Sequence, residues 1–595
     1  MEDKLNFDKG IWRKVLKFLS PYKKMFYKLG IVAGLFGLFE ATYPMLSKYA
    51  IDNFVVKKTM EGFGIFVLLY IIVFLSNIFV MRQYMVMTGR VEGILRYEMR
   101  KKGFEKLMEL SLSYFDRTSV GSIMSRMSSD IYSLTETICW GFLDFGFGLI
   151  NLTFYMIFML MLDVKLALLG FIVLPIIGLM TVYIQKLMIH LQRQVKETNS
   201  KITASYNEDI QGAKTTKTLV REDKNYEEFT ELTGDYKGRM KRLTRLSSIF
   251  MPSIISLGSI STALVLTVGG ADVLVGAISI GTLSAMLSYT LQCYEPVRMM
   301  GMIFAELISA QASAERVFKL LFEEPEIFER EEVLEKYGRT LEEQRKKIPA
   351  IKGDVEFNNV SFYYNEKEPV IDNFNLKVKA GETIALVGET GAGKSTLINL
   401  FSRFYEPVKG EILIDGEDYK NYPQSYIHAN LGYVLQSPYL FSGTIKDNVK
   451  YGKQDASDEE VEKACKMVKA HDFIMKMEKA YDSEVGEGGG LLSTGEKQLI
   501  SFARAIIREP RLFVLDEATS SVDTETEKVI QDAIKTSLEG RTSFIVAHRL
   551  STIRNADRIL LIKKGKIAEM GSHDELMKEK GAYYKLYMNQ FIAEN

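Results

Sequence analysis

Residues 388–396 read GETGAGKST. The buried-strand pattern TIALVG runs into them and the helical pattern STLINLFSRFY follows. Strand, glycine-rich loop and helix in that order make a phosphate cradle. Gly388, Gly391 and Gly393 free backbone N–H groups to face phosphates, and the helix N-terminus adds its dipole. Lys394 is placed to reach the β- and γ-phosphates, and Ser395, followed by Thr396, to ligate Mg²⁺. Downstream, RLFVLDEATSSVD (511–523) is an apolar strand ending in two acids. Asp516 at the strand end is the candidate to hold Mg²⁺ through water, and Glu517 to polarise an attacking water. A further strand, TSFIVAHRL, leads to His548, a candidate γ-phosphate contact and one of five histidines in the chain. A charged turn after a strand, or a structural histidine, is the plain alternative for each. Together the three sets predict an ATP hydrolase.

The elements that must position these groups occupy the last 250 or so residues, where strand and helix signals alternate as in an α/β domain. The first 320 or so are different, with long apolar runs. In the chain of 595 residues, 47 % are hydrophobic and 25 % charged, with zero net charge, so bulk charge names no partner and nucleic acid is not expected. Cys139, Cys293 and Cys465 have the spacing of neither a zinc site nor a disulfide framework. Six stretches are long enough to span a bilayer, near 26–50, 63–88, 136–162, 164–189, 248–273 and 281–309. The third and fourth are separated by a hinge at Asp163–Lys165. Lys and Arg crowd the N-terminus and the 89–135 and 190–247 connections, which puts these and both termini in the cytoplasm. Connections of that length need structure of their own, here helical extensions of the spans, each turning around a short helix. Residues 1–25 lack a signal-peptide pattern and read as an amphipathic elbow helix with Ile11, Trp12, Val15, Leu16 and Leu19 on one side. The expected layout is an elbow (1–25), a six-span α-helical transmembrane domain (26–320), a linker (321–350) and an α/β P-loop ATPase domain (351–595).

Over essentially its whole length this chain resembles an ABC exporter half-transporter. Tyr364 in VSFYY resembles the aromatic that stacks on adenine. Gln436 in GYVLQSPYLF resembles the Q-loop glutamine that touches Mg²⁺. Ser520 to Asp523 resemble the D-loop, and SEVGEGGG with Glu487 the exporter X-loop. YFDRTSVGSIMSRMSSD (114–130) is similar to the first coupling region, and QGAKTTKTLVRE (211–222) resembles the stretch after the second. The resemblance implies that two ATPase domains dimerise head to tail, each ATP lying between the Walker A of one and the signature of the other.

The usual signature is LSGGQ, and here it is Leu492, Ser493, Thr494, Gly495, Glu496. Ser493 and Gly495 keep their types. Thr494 adds a Cβ where backbone approaches phosphate, and Glu496 brings a carboxylate towards a polyanion. This chain's own Walker half is intact, so a heterodimer is expected, with a partner of standard signature completing the efficient site. A homodimer that tolerates the changes is the alternative. The expected cargo is amphipathic or lipophilic, a drug-like molecule or a lipid, exported across the cytoplasmic membrane. Ionisable residues inside spans are costly and so are candidates for function: Glu40, Arg82, Asp144, Glu295, Arg298 and Glu306. Met and Phe are abundant in the spans and suit varied ligands. A lipid-flippase homodimer and an ATP-gated channel of the same architecture are the other readings.

Overall fold

The computed structural model describes residues 9–365, 368–516, 524–546 and 550–594. They form two compact units. One comprises Met1–Glu109 and Thr118–Glu324, the other Leu110–Arg117 and Pro325–Asn595.

The first unit is helical. Its longest helices, Phe63–Glu109 (47 residues) and Glu222–Leu274 (53 residues), far exceed the roughly 20 residues a span needs. Their outer stretches therefore run beyond the hydrocarbon, as the charged connections require. Five helical segments among the described residues are long and apolar enough to cross a membrane. The stretch expected as the sixth span, 281–309, falls on two consecutive helices, Ile280–Gln292 and Tyr294–Leu321, neither of which is among those five. The hinge between the third and fourth spans is a cap. Asp163 is extended, and its carboxylate accepts the N–H of Leu166 at 2.8 Å, starting the next helix. Short helices Leu112–Arg117 and Ala213–Thr218 sit at the turns of the two long connections. Asp130 ties one connection to the end of the last helix. Arg316 donates two hydrogen bonds to its carboxylate, at 2.7 and 2.6 Å, and Ser313 a third at 3.0 Å. The elbow helix Lys9–Leu19 buries Trp12 and Val15, and the Trp12 ring meets Phe142 edge-on at 5.4 Å. Leu16, expected on the same side, is exposed. A stripe one residue narrower than the helical-face count suggested is enough to seat this helix.

The second unit has two sheets. Strands β1 (Val355–Phe362), β2 (Ile371–Val378), β4 (Lys409–Ile414) and β5 (Glu417–Asp418) form an antiparallel sheet in the order β2-β1-β4-β5. Strands β3 (Thr383–Val387), β6 (Leu431–Val434), β7 (Leu512–Asp516), β8 (Thr542–Val546), β9 (Arg558–Lys563) and β10 (Lys566–Gly571) form the other, ordered β10-β9-β3-β8-β7-β6. All its neighbours pair in parallel except β9 and β10. β3 and β8 are buried at every position, which is why they read as unbroken apolar runs rather than alternations. In such sheets the loops at the carboxyl ends of the strands build the ligand site.

Candidate nucleotide site

Several of the expected ATP contacts within the described residues follow this rule or border it. Gly388 follows the last residue of β3, Asp516 ends β7, and Gln436 lies two residues beyond β6. β3, β8 and β7 are adjacent, and in the β7–β8 register Asp516 is opposite Val546. Glu517, His548 and Ser520 to Asp523 lie outside the described residues.

The P-loop needs its glycines for stated reasons. Gly393 has φ +105° and is the residue preceding the helix Lys394–Phe401; a Cβ there would lie 2.9 Å from Ile371 Cδ1. At Gly388, φ +153°, a Cβ would sit 2.3 Å from the carbonyl oxygen of Ile562. Gly391 has φ +80° with open space around it. Lys394 is buried and folds back into the loop, donating to the carbonyls of Gly388 (2.6 Å) and Glu389 (2.9 Å). Burial lowers its pKa from the ordinary lysine value, and the Asp516 carboxylate works in the opposite direction. Ser395 is exposed at the first turn of the helix, and Thr396 behind it is buried. A serine hydroxyl, a glutamine amide oxygen and a carboxylate at strand ends are hard oxygen donors of the kind Mg²⁺ takes.

Tyr364 is half-exposed, and its hydroxyl shares a hydrogen bond with Thr396 Oγ1 at 3.2 Å. Its ring stands edge-on to Tyr405, with centroids 5.3 Å apart at 86°. Tyr405 in turn donates to Asp116 Oδ2 at 2.6 Å. Burial first, and then Asp116, hold the Tyr405 phenol pKa well above its ordinary value. Asp116 belongs to the helix Leu112–Arg117, which is part of this unit, and Arg117 next to it pairs with Glu326. Tyr405 and Asp116 are functional candidates the sequence reading missed. The coupling region 114–130 was recognised there, but only 114–117 of it belongs with the ATPase; residues 118–130 belong to the helical unit.

The signature opens the helix Thr494–Ile506, with Ser493 as its N-cap. Gly495 is buried, while Ser493 and Thr494 are exposed. Ser493 and Glu496 form a capping box. Glu496 Oε2 accepts the Ser493 backbone N–H at 2.8 Å and its hydroxyl at 2.7 Å. The substituted carboxylate thus occupies the first turn of this helix, where its dipole favours an anion. Thr494 is the first residue of the helix, a position at which no positive φ is required.

These features define a membrane-spanning protein with an ATP-binding cassette on the same chain. The family of the ABC transporter transmembrane region matches residues 28–297, and the ABC transporter family residues 371–520. An uncharacterised ABC transporter ATP-binding protein of Bacillus subtilis (strain 168), YfiC, is 36% identical over 98% of this chain and 94% of its own. An ATP-dependent lipid A-core flippase of Syntrophus aciditrophicus (strain SB) is 31% identical over 98% of this chain and 94% of its own. The structure of a bacterial Atm1-family ABC exporter with ATP bound superposes with a TM-score of 0.77, at 26% identity, covering 96% of this chain and 98% of that one. The chain belongs to the ABC transporter family. It is a half-transporter of the exporter type, a multi-pass membrane protein that couples ATP hydrolysis to export.

Proposed function

We propose that this chain exports amphipathic or lipophilic molecules as one half of a heterodimer, supplying the Walker half of the efficient ATP site. The observation that carries the asymmetry is the negative charge that Glu496 brings to the capping box. Glu496 sits on the helix end that would otherwise receive phosphate, while the P-loop glycines remain an unobstructed cradle. In the efficient site Lys394 and the P-loop N–H groups hold the phosphates. Ser395 and Gln436, with Asp516 through water, hold Mg²⁺. Glu517 orients the attacking water, His548 contacts the γ-phosphate and Tyr364 stacks on the base. The basic connections support a cytoplasmic ATPase and insertion in the cytoplasmic membrane. Relatives named as multidrug export proteins and lipid A-core flippases support a lipophilic cargo.

The test is ATPase activity of the purified chain alone, and of the same chain co-expressed with an ABC half-transporter of standard signature. The heterodimer reading expects weak turnover alone and a sharp rise with the partner. Vigorous, substrate-stimulated turnover from the chain alone would overturn it.

A further inference from the structure

The helical unit contains a cavity of about 350 Å³ walled by Glu40, Tyr43, Asn151, Tyr155 and Glu295. These residues come from the helices Lys23–Ala50, Phe142–Leu162 and Tyr294–Leu321, so one site draws on three of the spans. Its size lies at the lower end of small-molecule pockets, which run from about 300 to 1,000 Å³.

The charges around it do not balance. Glu295 is paired with Arg298, whose Nε donates at 2.8 Å. Glu40 has no basic partner among the described residues. Its one hydrogen bond there comes from Asn151 Nδ2, at 3.3 Å. A single long bond from a neutral amide does not compensate a carboxylate placed among apolar helices. The group is nevertheless held in position. Asn151 is only 4% exposed, and a Cβ at Gly37 would come within 2.3 Å of its Oδ1, so the glycine is what admits the amide between the helices. Its Oδ1 has no hydrogen-bond partner among the described residues. The aromatic wall is fixed too. The Tyr43 hydroxyl accepts from Asn77 at 3.0 Å, and the buried Tyr155 ring lies 5.8 Å from Tyr289. Aromatic rings beside an unpaired carboxylate suit a cation that carries its charge on a weakly hydrated, carbon-substituted centre.

We propose that this cavity binds the cationic centre of an organic monocation bearing aryl or alkyl groups. Glu40 is its charge partner, Tyr43 and Tyr155 form its aromatic wall, and Asn151 is the positioning residue for Glu40. The proposal rests on the export reading and adds the sign of the cargo's charge. A quaternary ammonium can come from a small molecule or from a choline headgroup; the small molecule is the assignment made here.

Tetraphenylphosphonium and tetraphenylborate have the same shape and opposite charge. Equilibrium binding of both to the full transporter, in phosphatidylglycerol nanodiscs without ATP, isolates the charge effect. The wild type is expected to favour the phosphonium by about tenfold or more. Glu40→Gln should weaken phosphonium binding about tenfold and leave the borate unchanged or tighter. Tyr155→Leu keeps the carboxylate and should cost the phosphonium roughly threefold, with no matching loss for the borate. Equal affinities in the wild type, or a Glu40→Gln variant that keeps its preference, would overturn the proposal. Loss of phosphonium binding when phosphatidylcholine is added to the discs would put a lipid headgroup in the cavity and overturn the small-molecule assignment. ATP-driven accumulation of a neutral lipophilic dye in inside-out vesicles tests export separately. Accumulation without a charge preference would sink this site and leave the exporter standing.

Discussion

The ATPase unit carries two anion-facing surfaces, and they are built on opposite terms. At the P-loop, glycines hold positive-φ backbone that side-chain-bearing residues rarely adopt, and at Gly388 and Gly393 the neighbours leave no room for a Cβ. At the signature, a threonine replaces the first glycine at an ordinary helical position, and a carboxylate from the same turn satisfies the N-cap. One surface is kept ready for a foreign polyanion. The other supplies its own anion. In a head-to-tail dimer the two surfaces serve different nucleotides, so the asymmetry within one chain becomes an asymmetry between two sites.

The largest effect expected is on the Walker side. Glu517→Gln should keep ATP binding and reduce hydrolysis by about 100-fold or more, because it removes the group proposed to polarise water and preserves its shape. Steady-state turnover of the partnered complex checks this, and more than half of wild-type activity would remove Glu517 from its role. Next, the chain alone should turn over roughly tenfold or more slowly than the partnered complex, since both of its sites would use the blocked signature.

A glycine exchange then sets the two surfaces against each other. Gly393→Ala should weaken ATP binding about tenfold, because a residue with a Cβ at φ +105° costs strain and meets Ile371. Thr494→Gly should leave ATP binding at the Walker site unchanged, because its position is plain helix. Fluorescent-nucleotide titration measures both, and equal losses would erase the distinction. The smallest effect expected is that of Thr494→Gly with Glu496→Gln in the complex. Glutamine can still close a capping box, so the helix start survives while the charge is lost. Turnover should change by less than about twofold and the nucleotide-occluded state should last longer, because a competing carboxylate is gone. A clean doubling of turnover would mean that the partner's site was catalytically complete and limited only by this signature.

Much of this was legible in the chain, because local patterns carry it. A strand, three spaced glycines and a helix announce the P-loop without any long-range information. Long apolar stretches announce the spans, five of which fall on described helices long and apolar enough to cross a membrane. The capping box was legible as well. Ser493-x-x-Glu496 is a known helix-start pattern, but the comparison with LSGGQ drew attention to what Glu496 replaces rather than to what it caps. The Tyr405–Asp116 bond was not legible. Its partners are 289 positions apart, and neither belongs to a local pattern that points to the other. The Glu40 cavity lay between these cases. Glu40 and Glu295 both stood out as charges within spans, but only packing shows that Arg298 neutralises one and that the other has, among the described residues, only an amide.

The chain enters the ATPase unit at Leu110 and leaves it after Arg117, like thread passed once through a second piece of cloth. On one side of this stitch is the end of the helix Phe63–Glu109, and on the other the start of the helix Val120–Ser125. Asp116 and Arg117 are its knots, tied to Tyr405 and Glu326. Tyr405 stands edge-on to the Tyr364 ring and so fixes this short segment beside the P-loop helix within the same unit. Tyr405→Phe unties only the hydroxyl. The segment Leu110–Arg117 would then be held to the unit that takes it in by one knot fewer, with the Arg117–Glu326 pair still in place.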